Sequence, residues 1–208
     1  MRGIAIFGAG GLGREVLALA RGLGHAVPCF VVDAPTPCET VHGVPVRRDW
    51  AALAAAPGLD WILAIGDPAA RARVAAQLAG VRFATLVHPL AHVGPGVVIG
   101  PGCMVLGPAS MTADIHLGAH VLVNPGCTLA HDGVVGDFAC LAPAVALAGG
   151  VVIGTGAALG IGARVAPFVT VGAHAVVGAG AVVLAAVPPG ARVAGVPARP
   201  LPGLADPG

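Results

Sequence analysis

The 208-residue chain contains no tyrosine and no lysine; all eleven of its basic side chains are arginine, and it holds only five Phe and two Trp. A core so poor in aromatics has to be assembled from Val, Ile, Leu and Ala. Charge is scarce as well: 10% of residues are charged, and the formal net charge is +1. With no basic run and no row of stacking rings, nucleic acid is not an expected partner. Cys29, Cys38, Cys103, Cys127 and Cys140 are odd in number and include no CxxC pair. They read as small buried hydrophobes of a reducing compartment rather than a disulfide framework. The opening MRGIAIFGAGGLGRE lacks the shape of a signal peptide, because its apolar stretch is broken by Gly and soon meets Arg14-Glu15. A cytoplasmic chain is expected.

What is abundant is glycine (33), proline (19) and hydrophobic residues (56%). Gly and Pro at this density disfavour long helices. The uncharged run of 26 residues from Phe138 to Ala163, with its Gly150-xxx-Gly154, has the length of a membrane span. Its internal period belongs instead to a buried strand array, so no membrane partner is expected.

That period decides the architecture. Every sixth residue from Val87 to Val183 is aliphatic or Met, seventeen positions without an insertion. Gly follows at Gly94, Gly100, Gly118, Gly136, Gly154, Gly160, Gly172 and Gly178. Compact residues stand two places before the large one: Cys103, Ala109, Cys127, Ala139, Ala157, Ala163 and Ala175. A six-residue period suits neither a 3.6-residue helix nor an alternating strand. It predicts short strands joined by tight turns, each coil stacking on the last about 4.8 Å away.

Ahead of the repeat, Ile4–Phe7, Cys29–Val32 and Trp61–Ile65 read as strands, and 14–23 and 69–78 as helices. Between the first strand and helix lies Gly8-Ala9-Gly10-Gly11-Leu12-Gly13, with Asp33 twenty residues on and Gly66-Asp67 after the third strand. A Gly-rich loop at a helix N-terminus is a ready phosphate site in a Rossmann-like βαβ unit. A dinucleotide fold needs two such halves, and only some 80 residues precede the repeats. One nucleotide or nucleotide sugar fits that size better, and a merely structural turn is the alternative.

The pattern [LIV]-G-x-x-x-x resembles the hexapeptide transferases, and the order of units sharpens the likeness. GAGGLGREVLALA, FVVD, AIGD, LVHP and the closing GVPARP are similar to the sialic-acid O-acetyltransferase and bacillosamine/perosamine N-acetyltransferase group. That resemblance implies a left-handed parallel β-helix with 18 residues per coil, usually trimeric, with active sites between subunits. It also implies a nucleotide-linked sugar in the N-terminal unit and acetyl-CoA on the solenoid; no metal is expected, because no three histidines converge at a plausible ligand spacing. The expected division is 1–84 for nucleotide-sugar binding, 85–195 for the β-helix and 196–208 for a tail.

Asn124-Pro-Gly-Cys-Thr-Leu-Ala-His131-Asp132 resembles the group's N-x6-H-[DE] stretch. Acyl transfer to an amine or hydroxyl removes a proton as the nucleophile attacks, and a histidine can take it near neutral pH. The resemblance makes His131 the base and Asp132 its orienting carboxylate. Asp114, one 18-residue column below Asp132, is an alternative that spacing leaves open. The same register puts Gly149 one coil above His131, where a backbone N–H could stabilise the thioester oxyanion.

For acceptor contacts the resemblance points to Gly8, Gly10, Gly11, Leu12, Gly13, Asp33, Gly66, Asp67 and Asn124. For acetyl-CoA it points to Cys140, Ala148, Gly149, Gly178, Pro197 and Arg199. Leu12 and Cys140 depart from the group, which often has histidine at both places. An acyl-Cys140 intermediate, and a zinc site of the γ-carbonic anhydrase kind from His88, His92, His116 and His120, are weaker readings. The expected reaction is acetylation of a nucleotide-linked amino sugar, with sugar O-acetylation or a non-catalytic trimeric nucleotide sensor as rivals.

Overall fold

The computed structural model describes residues 2–34, 39–55 and 58–201. The N-terminal unit is built on a five-stranded sheet of order β3-β4-β2-β1-β5. Strands β1 (Gly3–Phe7) and β2 (Cys29–Val31) flank helix α1 (Gly11–Gly22), and β5 (Leu59–Leu63) precedes α3 (Pro68–Gln77). The short helix α2 (Trp50–Ala55) lies before β5. β1 pairs in parallel with both β2 and β5. Val16, Leu17, Leu19 and Ala20 put one stripe of α1 against Ile4, Ile6 and Phe30 of the sheet.

The helices begin earlier than the sequence suggests: α1 at Gly11 rather than Arg14, α3 at Pro68 rather than Ala69. The third strand of the reading lies two residues upstream, at Leu59–Leu63. The hairpin β3 (Thr40–Val41) and β4 (Val44–Arg47), antiparallel to one another, was not expected from sequence. β4 nevertheless joins β2 in parallel.

From Leu86 the chain forms seventeen two-residue strands, β6 (Leu86–Val87) to β22 (Val182–Val183). They stack in three parallel sheets, each strand pairing with the residues 18 places on, as in Thr128↔Ala146 and Leu129↔Leu147. Fourteen of the seventeen repeat positions, from Val105 to Val183, are buried, as are the compact residues before them. The first three are not: Val93 is 42% exposed, because the prism is open at this end. At the other end β23 (Arg192–Ala194) continues one sheet and β24 (Arg199–Pro200) turns back antiparallel upon it. The tail beyond residue 201 lies outside the described residues, as does Cys38.

The two units share a core. Met104 on β9 (Met104–Val105) and Leu122 on β12 (Leu122–Val123) point away from the prism axis yet are buried, packed against Ile4, Ile6, Val16 and Phe30. Arg71 of α3 is fully buried beside this contact and carries the polar half of it. Its guanidinium donates to the carbonyls of Ile65 (2.5 Å) and Gly66 (3.1 Å) on its own side. Across the junction it donates to His120 (3.1 Å), Phe138 (2.7 Å) and Ala139 (3.3 Å) on two successive coils. Loss of hydration pulls this guanidinium below its ordinary range. Five carbonyl dipoles replace the lost water.

Candidate active site

His131 sits in the corner that joins β13 (Thr128–Leu129) to β14 (Val134–Val135). Asp132 is in the left-handed region, φ 60°, which closes the turn. The imidazole Nδ1 lies 2.7 Å from Asp132 Oδ2, so Asp132, not Asp114, is its carboxylate partner. An Nδ1–H donated to that carboxylate leaves the Nε2 lone pair free, the tautomer a general base requires. Both side chains are exposed.

One coil above, Gly149 lies against the imidazole edge. A Cβ at Gly149 would fall 2.6 Å from His131 Cε1 and 2.7 Å from Nε2, so the ring occupies the space a side chain would need. The ladder fixes the stacking, since the Gly150 N–H donates to the His131 carbonyl at 2.9 Å. The N–H of Ala148 is used in the same way, on the Val165 carbonyl. The Gly149 N–H has no acceptor among the described residues, and Gly149 stands beside the imidazole.

In the N-terminal unit the glycines divide into two kinds. Gly8 (φ 107°) and Gly13 are locked by packing: a Cβ at Gly8 would lie 2.6 Å from the Ala64 carbonyl oxygen, and one at Gly13 would clash with the Gly8 carbonyl. Gly10 has nothing within 4 Å of such a Cβ, and Gly11 only the tip of Arg14 at 4.0 Å. These two leave the N-terminus of α1 open to a ligand. Next to them a pocket of about 280 Å³ opens at the carboxyl ends of the strands, lined by Phe7, Gly8, Val32, Asp33, Ile65, Ala70, Arg73, Val74 and Gln77.

Gly8 and Asp33 therefore meet in one pocket. Gly66 and Asp67 do not line it: the Gly66 carbonyl is held by Arg71, and Asp67 caps α3 by accepting the Ala70 N–H at 2.6 Å. Leu12 packs on the shared core. The wall that sequence reading missed, Ala70, Arg73, Val74 and Gln77, is one face of α3 at helical spacing.

Other expected contacts are dispersed. The Asn124 side chain donates to the Leu141 carbonyl at 2.9 Å and serves the ladder. Cys140, on β15 (Cys140–Leu141), faces the N-terminal unit rather than the His131 corner, and burial raises its thiol pKa. The thiols of Cys103 and Cys127 are pushed up to about 11 by burial. Gly178 lies under β23, where a Cβ would fall 2.8 Å from that of Ala194. Arg199 is exposed and lines a cavity of about 220 Å³ with Leu184, Val187 and Pro200. Val196–Pro197 is a cis peptide bond in the same arm. Among the described residues no cluster of three His, Cys, Asp or Glu could hold a metal, and no helix is long and apolar enough to cross a membrane.

The PglD N-terminal domain family matches residues 3–78. Over 97% of both chains, the fold superposes with a TM-score of 0.91 on a histidine-to-asparagine variant of perosamine N-acetyltransferase from Caulobacter crescentus, at 37% identity. The chain belongs to the hexapeptide-repeat sugar acetyltransferases. It is an acyltransferase. That Caulobacter enzyme was solved with CoA and GDP-perosamine. The acetyltransferase domain of PglB from Neisseria gonorrhoeae, in complex with acetyl coenzyme A, is 34% identical over 96% of this chain and 99% of its own, with a TM-score of 0.89. WeeI from Acinetobacter baumannii is 29% identical over 97% and 100%, with a TM-score of 0.88. A comparison with curated protein sequences gives no match.

Proposed function

We propose that this acyltransferase moves the acetyl group of acetyl-CoA to the amino group of a nucleotide-linked amino sugar, with His131 as general base. The observation that carries the reading is the Asp132–His131–Gly149 arrangement: a carboxylate at 2.7 Å on Nδ1 and an unengaged backbone N–H beside the opposite ring edge. In the transfer the acceptor nitrogen forms a bond to the thioester carbonyl carbon while His131 Nε2 takes its proton. Asp132 supports the imidazolium, and the Gly149 N–H holds the oxyanion. Collapse breaks the carbon–sulfur bond, and the imidazolium returns the proton to the departing CoA sulfur.

The pocket at Asp33 and Arg73, with the open helix end at Gly10 and Gly11, is assigned to the nucleotide of the acceptor. Residues 1–84 bind the acceptor, 85–195 carry the transfer, and the arm from 196 flanks the CoA path. The homotrimer of this reading draws support from placement within one chain. The N-terminal unit covers the sheet that contains β12 and β15, whereas His131 occupies the corner between the other two sheets. Base and acceptor pocket of one chain lie on different sides of the prism. A second copy is needed to complete the site.

The test is acetyl-CoA consumption against GDP-, UDP- and CMP-linked amino sugars and free sialic acid, comparing native protein with His131→Ala. GDP-linked amino sugars come first, because the Caulobacter relative was solved with one. Turnover on an amino sugar that falls about 10²- to 10⁴-fold in the variant is the expected result. Undiminished turnover by the variant refutes the base assignment. Turnover on sialic acid alone establishes O-transfer instead.

A further inference from the structure

Of the five Phe, Phe7 and Phe30 are core residues and Phe83 and Phe138 are half-buried, whereas Phe168 is 79% exposed. It is held in the left-handed region at φ 60°, an uncommon conformation for a bulky side chain. Its position is not arbitrary. Phe168 stands in the 18-residue column of Asp132 and Gly150, and its N–H donates to the Gly149 carbonyl at 2.9 Å. A Cβ on Gly150 would fall inside the Phe168 ring contact, 2.7 Å from Cε1 and closer still to Cδ1. The ring therefore leans on Gly150 as the His131 ring leans on Gly149. Two rings, one from the coil below and one from the coil above, fill the side-chain space of two consecutive glycines. The unengaged Gly149 N–H belongs to the same turn.

We propose that Phe168 is the wall that gauges the length of the transferred acyl chain, an assignment that rests on the acyltransferase reading above. A thioester oxygen that accepts the Gly149 N–H puts the carbonyl carbon about 4 Å from that nitrogen. The acceptor amine approaches from the His131 side, and the sulfur leads away into pantetheine. The acyl carbon is the remaining substituent, and the aromatic face on the adjoining residue is the apolar surface at this turn. A methyl group fits against such a face. Each further methylene presses on a ring whose Cδ1–Cε1 edge rests on Gly150 and whose backbone the ladder anchors, and a methylene misfit in an apolar pocket is worth about 10- to 200-fold in specificity.

The experiment measures kcat/KM of the native protein, Phe168→Ala and Phe168→Leu with acetyl-, propionyl- and butyryl-CoA, using the best acceptor of the panel above. The expected result is a butyryl-to-acetyl ratio at least about tenfold higher in Phe168→Ala than in the native protein. Phe168→Leu, which keeps an apolar group on Gly150, should fall between and guards against a variant that misfolds. A ratio unchanged in both variants, or an equal loss for all three donors, overturns the proposal while leaving acyl transfer standing. The equal loss would assign the ring to pantetheine. Native protein that transfers no acyl group to any acceptor overturns the acyltransferase reading and this assignment with it.

Discussion

Adding one methyl group at Gly149 should disable the site without unfolding the protein. The new Cβ would lie 2.6 Å from His131 Cε1 and 2.7 Å from Nε2, where ordinary contact begins at 3.4 Å. The ring has to retreat by about 0.8 Å, the difference between 3.4 and 2.6 Å. It can do so because the His131 side chain is 61% exposed. Gly149 is not among the residues with positive φ, so alanine brings no backbone strain. A misplacement near 1 Å costs a positioned catalytic group about 10²-fold, or about 2.7 kcal/mol of transition-state stabilisation. Gly149→Ala should therefore lower kcat/KM about 10²-fold while the stability from urea melts changes by less than about 0.5 kcal/mol. Gly133→Ala is the control in the turn of His131 itself, since its Cβ would meet the Ala130 carbonyl oxygen at an ordinary 3.4 Å. Native turnover in Gly149→Ala would mean that the imidazole position does not matter. A large stability loss would mean that Gly149 is structural.

Two further outcomes concern the junction between the units. Arg71→Met keeps an unbranched side chain but strands four of the five carbonyls it serves, Ala139 alone keeping the Leu122 N–H; urea melts should show a loss of about 3–5 kcal/mol, and a loss below about 1 would refute its role as the clamp. His120 is buried between Phe83 (centroids 4.5 Å apart, edge-on) and Phe138 (4.9 Å, stacked), its Nδ1 without a partner among the described residues. Burial first, and then the Arg71 charge, lower its pKa from 6.5 to about 4. The unfolded chain thus binds the proton first as pH falls. Stability should be constant above pH 6.5 and decline by about 3 kcal/mol between there and pH 4. His120→Asn, which tolerates the residue's positive φ, should flatten that decline; an unchanged slope would refute the assignment.

The solenoid was legible because one constraint repeats. Each hexad must place a large aliphatic inside, a compact residue before it and a turn after it, so seventeen positions report the same fact. The pattern is silent about the end of the array, where Val93 keeps the aliphatic identity yet has no coil beneath it. The N-terminal unit offers no repetition. Its hairpin turns on His42-Gly43, both at positive φ, a two-residue turn more often announced by Asn-Gly or Asp-Gly. Arg71 was invisible for a different reason. Its partners are main-chain carbonyls from two coils, and a carbonyl carries no residue identity.

The same distinction separates the halves of the site. His131, Asp132 and Gly149 were readable because the proposed base and its carboxylate are neighbours in sequence and Gly149 follows at the coil length. The structure adds the choice of Asp132 over Asp114 and the direction of the free nitrogen. Phe168 lies 37 residues from His131, one more than two coils, a spacing that by itself means only an adjacent column. Its relevance depends on Gly150 having no side chain, since any Cβ there would push the ring away. A glycine pair in the middle of the array thus does two things at once: Gly149 makes room for the imidazole and Gly150 for the Phe168 ring. Replacing either glycine should change a different property, turnover at Gly149 and acyl-chain preference at Gly150. A Gly150→Ala variant that loses discrimination between acetyl- and butyryl-CoA would show that the two rings are set independently by consecutive residues.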